Sequence, residues 1–287
     1  LYPIVWGMRL MKLNRIVLTG AAGRLGSNLR QPLAELASEL VSSDIADDVG
    51  ALYAGERYLK ADITDLAAME SLLEGADMVV HFGAIGDERE FETLLGPNFI
   101  GAYNVWEAAY RRGVRRVIYA SSIHAVGMYP KAQAIGVDVP HRPDTFYGLA
   151  KCFAEDLGRM YWEKRGVESV CMRICSCAQV TNARALGTWL SYGDLIQLVT
   201  RAIDTPTVDF TIVYGVSNND RAPVDNTGAK HLGYRPKDNA EQYAAAILAE
   251  PPGEPGDMDR HGGPFATTPL GSSGLATMNI VDDTKRT

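Results

Sequence analysis

A glycine-rich turn close to the N-terminus constrains the fold of this chain more than any other feature. The residues before it, 15–19, include a β-branched run that indicates a buried parallel strand. Gly20, Gly23 and Gly26 follow and lead into a helical pattern. Gly20 makes a tight turn, Gly23 lets the backbone approach a pyrophosphate, and Gly26 lets helix and strand pack closely. Because the helix start offers free N–H groups and a positive dipole end, the sequence predicts a dinucleotide site.

The second predicted strand, 39–43, is followed by Asp44, which lies 18 residues beyond Gly26. A carboxylate at this position can accept hydrogen bonds from both hydroxyl groups of the adenosine ribose, and it would repel a 2′-phosphate. The sequence therefore favours NAD over NADP as the cofactor. Arg24 argues the other way, since it could pair with a phosphate, but it is equally explained as a solvated charge at the helix start.

The length of 287 residues fits one large α/β domain, alone or with a small appendage. The formal net charge of −7 provides no basic field, which argues against nucleic acid and anionic membranes as partners. No apolar run approaches the roughly 18 residues that a membrane span needs. Three of the four cysteines lie in one predicted strand and its exit, which predicts reduced thiols, no metal site and a cytoplasmic protein.

Strands and helices alternate along most of the chain with short connections, which predicts an α/β fold with a doubly wound parallel sheet of the Rossmann type. Further strands are predicted at 58–61, 78–82, 116–120, 169–174 and 210–216. Helices are predicted at 66–73, 97–112, 145–165, 192–203 and 240–248. The helical faces 99–109 and 153–161 could cover the sheet or pack between subunits, which leaves a homo-oligomer open.

The chain is predicted to have four parts. Residues 1–11 are expected to be an extension ahead of the fold, and residues 12–176 mainly an NAD-binding Rossmann domain that includes the helix with Tyr147 and Lys151. Residues 177–266 are predicted to be mainly a small substrate-binding region. Turn-forming and polar residues become frequent toward the C-terminus, so residues 267–287 are expected to be a mobile tail.

In a parallel sheet, ligands bind outside the carboxyl ends of the strands. The strand exits of this chain are therefore expected to assemble one site from residues that are far apart in the sequence. The candidate cofactor contacts are Gly20, Gly23, Arg24, Leu25, Gly26, Asp44, Asp62, Ile63, Gly83, Ala84, Ile85, Tyr147 and Lys151.

Tyr147 and Lys151 stand four residues apart, on one face of a predicted helix. A tyrosine with the ordinary pKa of about 10 is a poor base at neutral pH. A neighbouring cation, together with the positive nicotinamide of an oxidised cofactor, would favour the phenolate. The spacing alone is common on protein surfaces, but its place directly after the fifth strand and downstream of a dinucleotide turn predicts a catalytic pair.

Ser122 ends the fifth strand, where its hydroxyl could hydrogen-bond to a substrate oxygen. Strand alternation sends Ser121 and Ser122 to opposite sides, so only one of them should reach the site. His124 would point the same way as Ser122 if the chain stays extended, which makes it a candidate for substrate contact. A structural histidine is the equally weighted alternative.

These features resemble the extended, sugar-active branch of the short-chain dehydrogenase/reductase superfamily and, within it, the uronate dehydrogenase family. The superfamily resemblance rests on the glycine turn, on Asp44, Asp62-Ile63 and Ser122, and on the pair Tyr147 and Lys151. The closer resemblance runs from about residue 12 to residue 265. It rests on the stretches 120–124, 127–130, 149–153, 159–161, 173–177, 188–189 and 232–240.

The resemblance implies NAD-dependent oxidation of the C1 hydroxyl of glucuronate or galacturonate to the aldarolactone. Tyr147 would be the base, and Lys151 would be its pKa partner and a ligand of the nicotinamide ribose. Ser122 and His124 would bind the sugar near C1, with Ser122 also assisting the reaction. The expected partner is therefore a small sugar acid.

The same resemblance assigns two further residues to the substrate. Ser176 would line the pocket, and Arg184 would hold the uronate carboxylate, which a guanidinium can grip through two parallel hydrogen bonds. The alternative for Arg184 is a solvated loop charge. Two positions depart from the family pattern: Ile123 replaces a polar asparagine, and Gly86 replaces a serine that can touch the sugar. These departures bear on which sugar is preferred more than on the reaction.

Two other functions compete with this one. A nucleotide-sugar epimerase or dehydratase of the same branch would need a larger substrate region with basic groups for a diphosphate, and the part after Ser176 is short with few arginines. A dinucleotide sensor without catalysis could dispense with Tyr147 and Lys151, and both are present. The sequence does not decide between glucuronate and galacturonate.

Overall fold

A computed structural model describes residues 13–249 and 259–277 of the chain. The expected N-terminal extension, 1–11, lies outside the described residues. Seven parallel strands form one sheet in the order β3-β2-β1-β4-β5-β6-β7, which confirms the predicted doubly wound sheet. The strands are β1 Leu13–Thr19, β2 Ala37–Asp44, β3 Glu56–Lys60, β4 Met78–His81, β5 Arg116–Ser122, β6 Glu168–Ile174 and β7 Phe210–Gly215.

Nine α-helices occur in the described part of the chain. They are α1 Gly26–Leu36, α2 Leu66–Leu72, α3 Phe91–Leu94, α4 Gly101–Arg111, α5 Phe146–Arg165, α6 Ala185–Thr188, α7 Tyr192–Asp204, α8 Ala244–Ala249 and α9 Gly274–Thr277. A π-helical segment, Leu95–Ile100, joins α3 to α4. Short 3₁₀ turns lie at Ile123–Val126, Thr227–Leu232, Ala240–Tyr243 and Gly263–Ala266.

Two predicted helices have different bounds in the structure. The helix predicted at 97–112 is α-helical only from Gly101, because the turn before it contains Pro97, which has no N–H to donate to a regular helix, and widens into the π-helical segment. The helix predicted at 240–248 begins as a 3₁₀ turn and becomes α-helical at Ala244. A short helix, α6, occurs where the sequence showed no period.

Apolar side chains cover both faces of the sheet, which explains the near-continuous hydrophobic character of its strands. On one face, Leu29 and Leu33 of α1 and Leu198 of α7 belong to the larger cluster of buried residues. On the other face, Met69 of α2 and Trp106 of α4 belong to a second cluster, together with α5. The strand order is therefore supported by two helical layers, as in other doubly wound folds.

The inner sides of α4 and α5 cover the sheet, with Trp106 and Ala154 completely buried. Tyr103, Phe153 and Met160 on the same two helices are exposed. Packing of this outer side between subunits stays a prediction.

The predicted boundary at residue 176 does not separate two bodies. Strand β7 pairs with β6 in the same sheet, and α7 packs on that sheet, so residues 192–215 complete the Rossmann domain. At the C-terminus, residues 271–275 form hydrogen bonds with Asp87 and Glu88, which fixes this part of the expected tail. Residues 278–287 lie outside the described part. No helix within 13–249 or 259–277 is long and apolar enough to cross a membrane.

The strand order reverses direction between β1 and β4, since β2 and β3 lie on one side of β1 and the remaining strands on the other. The loops after β1 and β4 therefore leave the sheet toward opposite faces and open a crevice at the carboxyl edge. Crevices of this kind bind dinucleotides in open α/β sheets. The topology thus places the glycine turn and the β4 exit side by side.

A buried ion pair joins α5 to β6. The Arg173 guanidinium donates to both carboxylate oxygens of Glu155, at 2.8 Å and 3.0 Å for the shortest contact to each oxygen, and both side chains are 1% exposed. His141 Nε2 also lies 2.8 Å from this carboxylate. Burial alone would raise the pKa of Glu155, but the hydrogen bonds from His141 and Arg173 hold it below its ordinary value.

We expect Arg173→Met to lower the free energy of unfolding by about 3–5 kcal/mol, because Glu155 would remain buried without its guanidinium partner. Urea titration followed by circular dichroism measures the change. Arg235→Met, which alters an exposed arginine, is the matched control and should have an effect within about 0.5 kcal/mol. Equal stabilities for the two variants would contradict the importance of the buried pair.

Candidate active site

The glycine turn packs closely against the β4 exit and the start of α1. Gly20 has φ +74°, and a Cβ atom there would lie 2.5 Å from the carbonyl carbon of Phe82. A Cβ atom on Gly26 would lie 2.0 Å from the Gly20 carbonyl oxygen, so any side chain would push the turn and α1 apart. Leu25 precedes α1 without any side-chain hydrogen bond to its first turn. This helix start therefore lacks a side-chain cap, and helix starts of this kind can bind anions.

Asp44 ties the end of β2 to this turn. Its carboxylate accepts hydrogen bonds from the backbone N–H groups of Ala22, at 3.0 Å, and Ala46, at 3.2 Å. The Arg24 guanidinium donates to the carbonyl oxygen of Cys177 after β6. Arg24 is thus bonded to the β6 exit, which leaves Asp44 as the charged group at the end of β2.

The β3 exit carries Asp62 and Ile63. Asp62 is exposed, and its Oδ1 atom accepts two hydrogen bonds from Thr64, each 2.8 Å long. The backbone carbonyl of Ile63 accepts a hydrogen bond of 2.9 Å from the Asn104 side chain, which fixes this loop against α4. Within residues 13–249 and 259–277, Asp62 Oδ2 accepts no hydrogen bond, so it can serve as an acceptor at the edge of the crevice.

The β4 exit, with Gly83, Ala84 and Ile85, is half-buried beside the glycine turn. The Gly83 N–H donates to the Thr19 hydroxyl at 3.3 Å, and a Cβ atom on Gly83 would contact the Gly20 N–H at 3.4 Å. Both backbone groups of Ile85 bond to the Asn98 side chain at 2.9 Å. The structure therefore brings the predicted β1 and β4 contacts together.

The first turn of α5 carries the predicted base, and two side chains hold it. Thr145 caps the helix by accepting a hydrogen bond from the Gly148 N–H at 2.9 Å. The carboxylate of Glu88 accepts from the N–H of Phe146, at 3.2 Å, and from that of Tyr147, at 2.7 Å. A negative charge at a helix N-terminus is also favoured by the helix dipole.

Tyr147, Lys151 and Ser122 meet at the end of β5. The Ser122 hydroxyl lies close enough to the Tyr147 phenol to lower its pKa. The Lys151 ammonium lies 5.2 Å from the centroid of the Tyr147 ring and donates to the backbone carbonyl of Ala120 at 2.7 Å. The three predicted catalytic side chains are therefore neighbours.

The pKa values of Tyr147 and Lys151 differ from the sequence-based expectation that a neighbouring cation favours the phenolate of Tyr147. Burial raises the pKa of Tyr147 to about 12, although the nearby Ser122 hydroxyl acts in the opposite direction, and burial lowers the pKa of Lys151 to about 7. The protein alone therefore does not provide a phenolate at neutral pH. Perturbed pKa values of buried groups in a crevice are themselves typical of functional sites.

Ser121 and Ser122 point to opposite sides, as strand alternation predicts. The Ser121 hydroxyl donates to the Glu155 carboxylate, whereas Ser122 lies beside Tyr147 and accepts a hydrogen bond from the His124 N–H at 3.3 Å. Ser122 is therefore the serine that faces the site.

His124 lies against Tyr147, with a ring-centroid distance of 5.8 Å. Its Nδ1 atom is 2.8 Å from a carboxylate oxygen of Asp144, whose side chain is completely buried. The Phe265 ring stacks on the imidazole at 4.0 Å with an interplanar angle of 27°. Because Asp144 occupies Nδ1, the Nε2 atom is the nitrogen left to bind a ligand.

Arg184 and Ser176 meet at the far side of the same crevice. Arg184 is 6% exposed, and its guanidinium donates to the Ser176 hydroxyl at 3.0 Å and to the His261 carbonyl at 2.8 Å. Within the described residues, 13–249 and 259–277, no carboxylate forms an ion pair with Arg184. The alternative of a solvated loop charge is therefore wrong.

The two departures from the family pattern have different structural meanings. Ile123 is 1% exposed and belongs to the larger hydrophobic cluster, so its side chain packs in the core. Gly86 is exposed, and a Cβ atom there would meet nothing within 4 Å. A larger side chain at position 86 would therefore fit without strain.

Three residues around the site escaped the sequence analysis. Asp144 directly precedes the Thr145 cap, and its position before a helix could have drawn attention to it. Phe265 and Glu88 carry no local signal, because their roles depend on contacts with distant parts of the chain.

The chain is similar to known proteins over nearly its whole length. Residues 16–178 match the model of the NAD dependent epimerase/dehydratase family. Uronate dehydrogenase from Pseudomonas putida is 46% identical over 256 residues, which cover 88% of this chain and 96% of that protein.

Solved structures give the same result. Glucuronic acid dehydrogenase from Chromohalobacter salexigens has 39% identity and a TM-score of 0.86, over 90% of this chain and 98% of that one. A uronate dehydrogenase mutant from Agrobacterium tumefaciens, complexed with NAD, has 38% identity and a TM-score of 0.85 over the same shares. The chain therefore belongs to the NAD dependent epimerase/dehydratase family and, within it, to the uronate dehydrogenases, and it is an NAD-dependent oxidoreductase.

Proposed function

We propose that this protein oxidises the C1 hydroxyl of a hexuronic acid, glucuronate or galacturonate, to the aldarolactone with NAD. The observation that carries the proposal is the buried guanidinium of Arg184, which forms no ion pair within the part of the chain that the structure describes. The names of its relatives, uronate dehydrogenase and glucuronic acid dehydrogenase, support the same substrate class.

Arg184 is suited to bind the carboxylate of such a substrate. Within the described residues no carboxylate lies at ion-pair distance from this buried cation. Asp144 acts on it only from further away, and burial lowers the pKa of the guanidinium. A uronate carboxylate would supply the missing charge through two parallel hydrogen bonds. Gly263 gives the guanidinium its space, since a Cβ atom there would lie 2.5 Å from Arg184 Nε. Arg184 would therefore select a sugar acid over the neutral sugar.

At the other end of the substrate, Tyr147 would accept the proton of the C1 hydroxyl. Ser122 would donate to the substrate oxygen, as its hydroxyl already lies at the phenol. NAD, when bound, supplies the hydride acceptor and one positive charge. In its cationic form, Lys151 adds a positive charge 5.2 Å from the Tyr147 ring and favours the phenolate further.

His124 would orient the sugar between these two ends. Since Asp144 holds Nδ1, a neutral imidazole presents Nε2 as an acceptor for a sugar hydroxyl. The stacked ring of Phe265 prevents the imidazole from tilting away from this position. The site thus has one group for the carboxylate, one for the ring and one for the reacting hydroxyl.

The product follows from the substrate's chemistry. C1 of a pyranose is bonded both to its hydroxyl oxygen and to the ring oxygen. When the hydride leaves C1 and the proton leaves its hydroxyl, the C1–O bond becomes a carbonyl and the ring becomes a lactone. The two electrons leave with the hydride, and no water is consumed.

A nucleotide-sugar epimerase or dehydratase would require basic groups for a diphosphate. In residues 177–249, Arg201 is paired with Asp204, and Arg221 is paired with Glu241. Arg184 is the buried guanidinium in this region that an anionic ligand could use, and it suits one carboxylate better than two phosphates. These contacts favour the uronate reaction.

The cofactor is proposed to be NAD in preference to NADP. Asp44 places a negative charge at the end of β2, and Arg24, the residue that could have paired with a 2′-phosphate, is bonded to the Cys177 carbonyl instead. The adenosine ribose would therefore meet the Asp44 carboxylate, which accepts hydrogen bonds and repels a 2′-phosphate.

Arg184→Met is expected to reduce kcat/KM for glucuronate and galacturonate by roughly 30-fold or more, the effect of losing about 2 kcal/mol or more from a buried charge pair. Steady-state NAD reduction measures this. Arg235→Met, at an exposed arginine, serves as the control and should leave the rate unchanged. Retained affinity for both uronates in Arg184→Met would refute the assigned carboxylate site.

Tyr147→Phe is expected to lower kcat by about 10²–10⁴-fold without weakening NAD binding, because the ring remains but the proton acceptor is lost. In the unmodified enzyme, kcat/KM should rise with pH, since the pKa of Tyr147 is raised and only the phenolate accepts the proton. Initial rates measured across pH give kcat and the pH dependence of kcat/KM. Fluorescence titration gives the affinity for NAD. Tyr110→Phe, at an exposed tyrosine, is the control. A Tyr147→Phe variant that keeps its rate would rule out the assigned base.

Asp44→Asn should improve kcat/KM with NADP relative to NAD by about tenfold, because removing one charge near the 2′-phosphate relieves roughly 1 kcal/mol or more of repulsion. The amide oxygen can still accept one of the two backbone hydrogen bonds. Parallel assays with the two cofactors measure the ratio, with Asp47→Asn, an exposed aspartate of the same loop, as the control. An unchanged ratio would show that Asp44 does not discriminate between the cofactors.

A further inference from the structure

The C-terminal segment of residues 259–275, here named the strap, forms one wall of the candidate site. Its His261 carbonyl accepts from Arg184, and its Phe265 ring stacks on His124. At Gly262, a Cβ atom would lie 1.8 Å from a carboxylate oxygen of Asp144. The strap therefore touches the residues proposed to hold both the carboxylate and the ring of the sugar.

Two consecutive acidic residues after β4 hold the far end of the strap. Asp87 accepts from the N–H groups of Gly274, at 3.0 Å, and Leu275, at 3.1 Å, and from the Ser273 hydroxyl. Glu88 accepts from the Gly271 N–H at 2.9 Å. Both acidic side chains are buried, and Glu88 is completely buried.

Glu88 differs from Asp87 because it also holds the catalytic helix. Oε1 accepts from both Gly271 of the strap and Phe146 of α5, while Oε2 accepts from Tyr147. One carboxylate thus joins the first turn of α5 to the strap. Gly271 of the strap lies 125 residues after Phe146 and 124 residues after Tyr147. Within the described residues Glu88 forms no ion pair, so its charge is balanced by the three N–H groups and the helix dipole.

This arrangement requires a carboxylate and not merely a polar side chain. Two oxygens without hydrogens can accept all three bonds, whereas the amide of glutamine would present an N–H to one or more backbone N–H groups. A buried donor left facing another donor loses its hydrogen bond and is costly. The requirement can therefore be tested by replacing one carboxylate oxygen with an amide nitrogen at nearly constant shape.

We propose that Glu88 is a positioning residue that sets the distance between the proton acceptor Tyr147 and the sugar-binding wall formed by the strap. The proposal rests on the proposed uronate oxidation, because it assigns Tyr147 and the strap to the two ends of one substrate. Glu88 has no contact with the reacting atoms. It acts by fixing the position of the first turn of α5 relative to the strap.

The test compares Glu88→Gln with Glu92→Gln, a matched change at an exposed position on α3. Hydrogen exchange read by mass spectrometry reports on the strap and on the first turn of α5 in each variant without substrate. In Glu88→Gln both segments should exchange faster, while the glycine turn and α1 remain as in the unmodified protein. In Glu92→Gln none of these segments should change.

Kinetics then separate positioning from general stability. With glucuronate and NAD, Glu88→Gln should raise KM for the sugar and lower kcat, for a combined loss of about tenfold to a hundredfold in kcat/KM. The Kd for NAD, measured by fluorescence titration, should stay within about twofold. A purely structural role would lower the Tm and leave KM and kcat unchanged at temperatures well below it.

Two results would overturn the proposal. One is faster exchange in the strap alone, with α5 and the kinetic constants unchanged; the other is no change in either segment. If Glu88→Gln does not fold, a chain that ends at Ala266 removes Gly271 and the Asp87 contacts, and it should show the same rise in KM with unchanged NAD binding. If the unmodified enzyme oxidises neither uronate, the proposed function fails, and the exchange experiment still tests the coupling of strap and helix.

Discussion

The attachment of α5 to the carboxyl end of β5 is the contact on which the candidate site depends. Lys151 donates to the Ala120 carbonyl, so the helix with the proposed base is held against the strand that carries the proposed substrate contacts. Ser122 at the end of that strand lies beside Tyr147. The helix start is fixed by the Thr145 cap and by Glu88. The other residues of the candidate site lie around this contact between α5 and β5.

Charge is distributed unevenly across the crevice. Asp44 lies at the cofactor side, and Arg184 lies buried at the substrate side, bonded to neutral oxygens of Ser176 and His261. A substrate with one carboxylate and a hydroxyl at the opposite end complements this pattern. In the proposed complex, the substrate carboxylate would supply a counter-charge that this buried guanidinium lacks at ion-pair distance within the described residues. The charge that is costly in the free protein would then provide specificity.

Features that depend on local spacing could be predicted from the sequence. The glycine turn, the opposite directions of Ser121 and Ser122, and the proximity of Tyr147 and Lys151 all follow from short-range geometry, and the structure contains them. Glu88 could not be predicted, since its partners lie 58, 59 and 183 residues away. The raised pKa of Tyr147 was also missed, because burial outweighs neighbouring charge, and burial depends on the packed structure.

We propose that the molecule oxidised at C1 with NAD is a sugar acid and not a neutral sugar. The most direct test follows the absorbance of reduced nicotinamide with glucuronate, galacturonate, glucose and galactose in parallel, and identifies the product by NMR. We expect rapid reduction of NAD with at least one uronate, slow or no reduction with the neutral sugars, and a lactone as the first product. Equal rates with acids and neutral sugars, or a product that keeps its C1 hydroxyl, would contradict it.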